Sequence, residues 1–114
     1  RAQDLALNQM AARVPEAAVI IVNPEHYAVA LAWSRMPGTA PVCVAKGVDE
    51  TARKIKEIAR ENNIPIHRDP PTARALFATT AIDHEIQTEH FRAVAAAIRF
   101  ADQMKTKLRA GNGR

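Results

Sequence analysis

Runs of apolar residues change period along the chain, and each change marks an element. Residues 1–13 (RAQDLALNQMAAR) are rich in Ala, Leu and Gln, with Leu5, Leu7 and Met10 apolar, which predicts a weakly amphipathic helix. Pro15 ends it, because the residue before a proline is pushed out of the helical region. Residues 18–22 form an apolar, β-branched run that predicts a buried strand. Asn23-Pro24 interrupts that run, since proline has no N–H to give a ladder and Asn-Pro favours a turn. Residues 27–33 alternate, placing Tyr27, Val29, Leu31 and Trp33 on one face of a second strand. Pro37-Gly38 marks residues 34–40 as a loop, and residues 41–45 (PVCVA) predict a third strand closed by Lys46-Gly47.

Helical spacing follows. Asp49 is placed as an N-cap, its carboxylate accepting free amide hydrogens of the next turn. Ala52, Ile55, Ile58 and Ala59 share a face, and Glu50 and Lys54 can pair across one turn. Asn62-Asn63 suits the helix end, where left-handed backbone is needed. Residues 64–67 predict a short fourth strand. Asp69-Pro70-Pro71 opens another helix with Pro70 at its first position, and Ala73, Leu76 and Phe77 form its inner face. Thr88 is placed to cap a long last helix with Phe91, Val94, Ala95, Ile98, Ala101 and Leu108 as its stripe. This order of elements predicts one small α/β domain, a central mixed sheet of about four strands surrounded by helices, with an N-terminal linker helix. The expected boundaries are 1–15 for the linker helix, 16–110 for the domain and 111–114 for a frayed tail.

A chain of 114 residues has room for one domain and not two. With an aromatic share of only 4%, the core must be built from Ala, Val, Ile and Leu. The net charge of +4 and a pI of about 9.7 raise a small basic α/β nucleic-acid-binding module as one alternative. Against it, the basic residues are scattered beside acidic ones, and no aromatic-basic platform or glycine-rich recognition loop is present. The denser stretch of Lys105, Lys107, Arg109 and Arg114 reads as a solvated helix end. Cys43 stands alone in an apolar run, so it reads as a buried thiol with no disulfide. The longest apolar run, residues 17–22, is strand-sized, far short of a membrane span, and no signal peptide is visible. The first residue is Arg1 rather than Met, as expected of a fragment.

The chemistry-bearing segment is Asn23-Pro24-Glu25-His26, between two strand runs. In an ordinary Asn-X pair the following backbone nitrogen attacks the Asn side chain. Proline has no N–H, so that route is closed. What remains is attack by the Asn23 side-chain nitrogen on the Asn23 carbonyl carbon, closing a succinimide and expelling the Pro24 nitrogen. A tight turn can hold the reacting atoms near about 3–3.5 Å and supply the orientation. His26, two residues past the scissile proline, is the residue type most used to move protons near neutral pH, and turn N–H groups can steady the oxyanion. Read without its surroundings, Asn-Pro is a common turn dipeptide and the histidine a surface or packing residue.

Elsewhere the sequence offers little chemistry. His67, His84 and His90 have no ligand spacing, so no metal site is expected. Lys46-Gly47 lacks the remaining glycines and Ser/Thr of a phosphate loop, so no nucleotide cofactor or small-molecule substrate is expected. Ala40 and Pro41, with Ala95 and Ile98 on the last helix, can meet as a shallow groove for a protein partner, although core packing explains the helix stripe equally well.

Taken with its flanks, the segment resembles the FlhB/YscU family of flagellar and injectisome export-switch proteins. That family carries Asn-Pro-Thr-His followed by a Tyr-Ala-Val-Ala-Leu type of strand, and residues 22–31 here read VNPEHYAVAL. Met36 with Ala40-Pro41 resembles the family loop, and residues 44–49 (VAKGVD) its turn into a helix. Ile55 and residues 57–62 (EIAREN) resemble that helix, Ile64-Pro65 the next strand, and Pro70-Pro71 with residues 73–77 (ARALF) the Pro-Pro-Leu-Ala-Arg-Ala-Leu-Tyr signature. The likeness covers roughly residues 9 to 105. It implies a soluble domain hung by residues 1–15 from a membrane half, at the cytoplasmic face of the bacterial inner membrane. Export-gate membrane proteins and export substrates are then the partners, and nucleic acid is not. It implies self-cleavage between Asn23 and Pro24, with Asn23 cyclising, Pro24 leaving and His26 supporting, and a consequent switch in export-substrate specificity. The domain is then a single-turnover self-cleaving module and not an enzyme. A stand-alone, uncleaved paralogue of the same domain is the other alternative. Glu25 departs from the family threonine. It can pair with His26, place negative charge beside the oxyanion, or point to solvent.

Overall fold

The computed structural model describes residues 2–112, with side chains from residue 7 to residue 107. Helix α1 (Ala2–Arg13) leads through a 3-10 turn at Val14–Glu16 into strands β1 (Val19–Asn23) and β2 (Tyr27–Ala32). Strand β3 (Val42–Val48) follows, then α2 (Asp49–Glu61), β4 (Ile66–Arg68) and α3 (Pro70–Thr79). A second 3-10 turn at Thr88–His90 precedes α4 (Phe91–Asn112). The sheet order is β3-β2-β1-β4, with β1 antiparallel to β2, β2 antiparallel to β3, and β1 parallel to β4. Helix α2 makes the crossover that a parallel neighbour requires.

Helices cover both faces, which is why β1 and β2 read as nearly continuous apolar runs. On one face Val19, Ile21, Val29, Leu31 and Cys43 meet Ala73 and Leu76 of α3 and Val94, Ala97, Ile98 and Ala101 of α4. On the other, Ile20, Val22, Ala28, Ala30 and Val44 meet Ala52, Ile55 and Ala59 of α2, with Val14 and Ile64 closing the edge. Full burial of a side chain such as Ile20 or Ile21 contributes about 1.5–3 kcal/mol. The small residues Ala28, Ala30 and Ala45 let α2 lie close to the sheet. Helix α1 is attached to this body: Met10 packs on the second cluster, and Arg13 pairs with Asp83.

The single α/β domain with a four-stranded mixed sheet and N-terminal helix agrees with the sequence reading, and several local expectations do not. Strand β3 runs three residues past Ala45, because Lys46, Gly47 and Val48 pair with Val29, Ala28 and Tyr27. Asp49 is not an N-cap: Val48 holds that position without a side-chain cap, and Asp49 is the corner between strand and helix at φ +47°. Glu50 pairs with Arg53, which also reaches Glu57, and not with Lys54. Thr88 opens a 3-10 turn, not α4, and Gln87 precedes it without a side-chain cap. Strand β4 is displaced to residues 66–68 by pairing with Ile20, Ile21 and Val22. Phe91 and Ala95 lie on the exposed side of α4. Residues 111 and 112 continue α4, while residues 113–114 and the side chains of Leu5 and Leu108 lie outside the described residues.

Two expectations at helix ends hold. Asn63 adopts φ +58° and donates its N–H to the Arg60 carbonyl, while the Ile64 N–H reaches the Ala59 carbonyl at 2.8 Å. The Asp69 carboxylate accepts from the Thr72 N–H at 3.4 Å, with Pro70 at the first helical position.

Candidate functional site

The ladder between β1 and β2 ends at the pair Asn23–Tyr27, so Pro24, Glu25 and His26 make a three-residue corner. The His26 N–H donates to the Asn23 carbonyl oxygen at 2.8 Å, closing a four-residue turn with proline second. Proline suits that position because its ring presets φ and the turn asks no N–H of it. Three further carbonyls around the corner have donors. The Asp49 N–H donates to the His26 oxygen at 3.1 Å, the Asp69 N–H to the Val22 oxygen at 3.0 Å, and the Lys56 ammonium to the Pro24 oxygen.

The corner is therefore gripped from α2 as well as from within. That grip depends on Gly47. A Cβ added there would lie 2.2 Å from Thr51 Cγ2 and 2.6 Å from Thr51 Cβ, so only glycine lets the first turn of α2 press on the end of β3. With α2 so placed, Asp49 and Lys56, two turns apart on one helix face, both reach the corner.

Asn23 and Pro24 are half-buried, while Glu25 and His26 are exposed. The imidazole Nδ1 stands 3.7 Å from the Asp49 carboxylate, and both side chains are largely exposed (67% and 76%). The acidic neighbour of His26 is thus Asp49. Glu25 instead borders a depression of about 260 Å³ with Asp49, Glu50, Arg53 and Lys56. Chemically, the arrangement does one thing well. A fixed N–H points at the oxygen of the Asn23 carbonyl, and the next residue is a proline, which has no N–H to attack the Asn23 side chain.

Ala40, Pro41, Ala95 and Ile98 come together elsewhere, lining a depression of about 360 Å³ between the approach to β3 and α4. Trp33 and Phe91 extend its apolar wall, and Arg99 and Asp102 form a charged rim. Arg35, at φ +67°, makes a bidentate contact with Asp102 at 2.8 and 2.9 Å and lies over the Trp33 ring at 5.3 Å. Hydrogen bonding from the guanidinium holds the Asp102 carboxyl below the usual carboxylate range. The remaining histidines stay apart: His67 lies against Phe100, His84 takes part in the connection to β3, and His90 approaches Thr79.

Sequence reasoning missed Lys56 and the Arg35–Asp102 pair. Lys56 is 32 positions from Pro24 and carries no motif, so only the packing of α2 could reveal it.

Among known proteins, the FlhB HrpN YscU SpaS Family matches residues 1–101. The chain belongs to the FlhB/YscU family. Flagellar biosynthetic protein FlhB of Bacillus subtilis is 39% identical over 108 residues, 95% of this chain and 30% of that protein. FlhB of Aquifex aeolicus is 42% identical over 108 residues, 95% of this chain and 31% of that one. The cytoplasmic domain of FlhB from Shewanella putrefaciens has the same fold, with a TM-score of 0.84 at 44% identity over 95% of this chain and 81% of the other. A mutated EscU C-terminal domain gives a TM-score of 0.77 at 29% identity, covering 82% of this chain and 94% of that domain. The chain thus spans about a third of the FlhB proteins it matches, and its fold is that of structures described as the cytoplasmic domain of FlhB and the C-terminal domain of EscU. Among its described residues no helix is long and apolar enough to cross a membrane.

Proposed function

We propose that this chain is the export-switch domain of a type III protein export apparatus component, cut once between Asn23 and Pro24. The observation that carries this reading is the His26 N–H donated at 2.8 Å to the Asn23 carbonyl, with proline immediately after it at the strand end. The donor stabilises negative charge on that oxygen as the side-chain nitrogen attacks, and the turn fixes the geometry in advance. The His26 imidazole, beside Asp49, relays the proton that leaves the amide nitrogen. Because Asn23 is consumed, the event is a single turnover and the domain is not an enzyme.

The two pieces remain folded together after scission. Strand β1 lies between β2 and β4, both from the other piece, and its side chains Val19, Ile20 and Ile21 are fully buried. The cut frees the corner, reshapes the surface there, and switches the apparatus from early to later export substrates. In the parent protein the domain hangs by α1 from a membrane half, at the cytoplasmic face of the bacterial inner membrane. Its partners are export-gate membrane proteins and the export substrates, which dock at the groove of Ala40, Pro41, Ala95 and Ile98. The family relationship and the apolar wall of that groove support this assignment.

The test is electrophoresis of the purified chain under denaturing conditions. Wild type runs as pieces of 23 and 91 residues from the 114, and Asn23→Ala as one. Wild type that stays whole after prolonged incubation contradicts the cleavage.

A further inference from the structure

The geometry points to Lys56 as a positioning residue for scission, a cation from α2 that pins the leaving side of the Asn23–Pro24 bond. This rests on the self-cleavage proposed above and adds to it a group outside the Asn-Pro-Glu-His segment. Three carbonyls of the corner, those of Asn23, Pro24 and His26, have hydrogen-bond donors. Two of the donors are backbone N–H groups, of His26 and Asp49. The third, on the Pro24 oxygen, is the Lys56 ammonium, the one side chain among them. Lys56 is half-buried, so its stem is packed and its head is directed. The other cation of the same depression, Arg53, is engaged by Glu50 and Glu57.

The chemical step needs no outside reagent. A bond forms between the Asn23 side-chain nitrogen and the Asn23 carbonyl carbon, and the bond from that carbon to the Pro24 nitrogen breaks. One proton leaves the attacking nitrogen and arrives on the Pro24 nitrogen, so reactant and products have the same atoms. Water enters only when the succinimide is later hydrolysed. Lys56 takes no part in the proton transfer. Its hydrogen bond fixes rotation about the Pro24 Cα–C bond, and so holds the proline ring in place against the rest of the turn. The positive charge also draws electron density from the Pro24 residue, which makes its nitrogen a better leaving group. Charge-assisted hydrogen bonds are the stronger class, and at a half-exposed site such a contact is worth about a tenfold change in rate. Glu25 borders the same depression as Lys56.

Cell-free synthesis with a labelled pulse follows cleavage from the moment the chain is made. Lys56→Met, which keeps the stem and loses the charge, is expected to cleave about tenfold more slowly than wild type. Lys56→Arg, which restores a cationic donor, is expected to return to within about threefold. In the Asn23→Ala background, Lys56→Met should lower the urea midpoint only slightly and stay fully folded without urea, separating positioning from stability. Should Lys56→Met fail to fold, Lys56→Gln carries the same comparison. Equal rates for Lys56→Met and wild type overturn the inference while leaving self-cleavage intact, as does a Lys56→Arg chain as slow as Lys56→Met. A wild type that is never cut overturns self-cleavage itself, and the role of Lys56 with it.

Discussion

Gly47→Ala tests whether close contact between β3 and α2 builds the corner. The new Cβ would meet Thr51 at 2.2 Å from Cγ2, 2.6 Å from Cβ and 3.2 Å from the carbonyl carbon. Rotating the Thr51 side chain moves Cγ2 alone. Cβ and the carbonyl carbon belong to the helix frame, so the first turn of α2 must move as a unit. Overpacking of this kind costs about 1–3 kcal/mol. The assay is urea unfolding in the Asn23→Ala background, where the chain is a single covalent piece. Gly47→Ala should lower the midpoint with an unchanged slope, and lower the melting temperature by roughly 4 °C per kcal/mol. In the chain with Asn23 present, cleavage should slow as well, because Asp49 and Lys56 move with the helix. Thr51→Gly removes the clashing Cβ and by itself costs roughly 0.3 kcal/mol of helix propensity. Combined with Gly47→Ala, it should recover part of the loss, a coupling that independent sites would not show. Gly47→Ala as stable and as fast to cleave as its parent would refute the reasoning, as would simple additivity in the double variant.

Two further predictions concern the body of the domain. Leu76 is fully buried between α3 and the sheet, so Leu76→Ala should destabilise by about 3 kcal/mol in urea unfolding; a loss under about 1 kcal/mol would mean that this face repacks freely. Burial pushes the Cys43 thiol up to about 11, so the folded chain holds that proton more tightly than the unfolded one. Stability from this source is fully present below the ordinary thiol pKa of about 8.5 and is lost as pH rises towards the folded value. Urea midpoints should therefore fall more steeply above pH 9 in wild type than in Cys43→Ala, and native Cys43 should resist a thiol reagent that labels the unfolded chain at once. Prompt labelling of the folded protein would contradict this.

Much of the fold was legible because its signals are local. The β-branched run at 19–22, the alternation of Tyr27, Val29, Leu31 and Trp33, and Asp69 before Pro70-Pro71 each carry their own cause within a few residues. The same holds for the turn from Asn23 to His26, which joins neighbours in sequence. What could not be read depends on partners distant along the chain. Lys46 and Gly47 look like a strand terminator until Val29 and Ala28 are seen to pair with them. Asp49 has the side chain of a cap, yet β3 enters α2 without a loop and makes it a corner. Glu50 had suitable partners in both Arg53 and Lys54, and only the packed helix shows that it takes Arg53. Lys56 is one of several basic residues on an amphipathic helix, and nothing local distinguishes it from Lys54.

Intact mass of the purified, denatured chain most directly addresses whether this hairpin corner breaks its own backbone. Self-scission predicts two species that together account for the whole sequence. One should begin at Pro24, and the other end in a cyclised Asn23, one water lighter than its hydrolysed form. A single species at full mass, a cut at another bond, or the same two fragments from Asn23→Ala would contradict it.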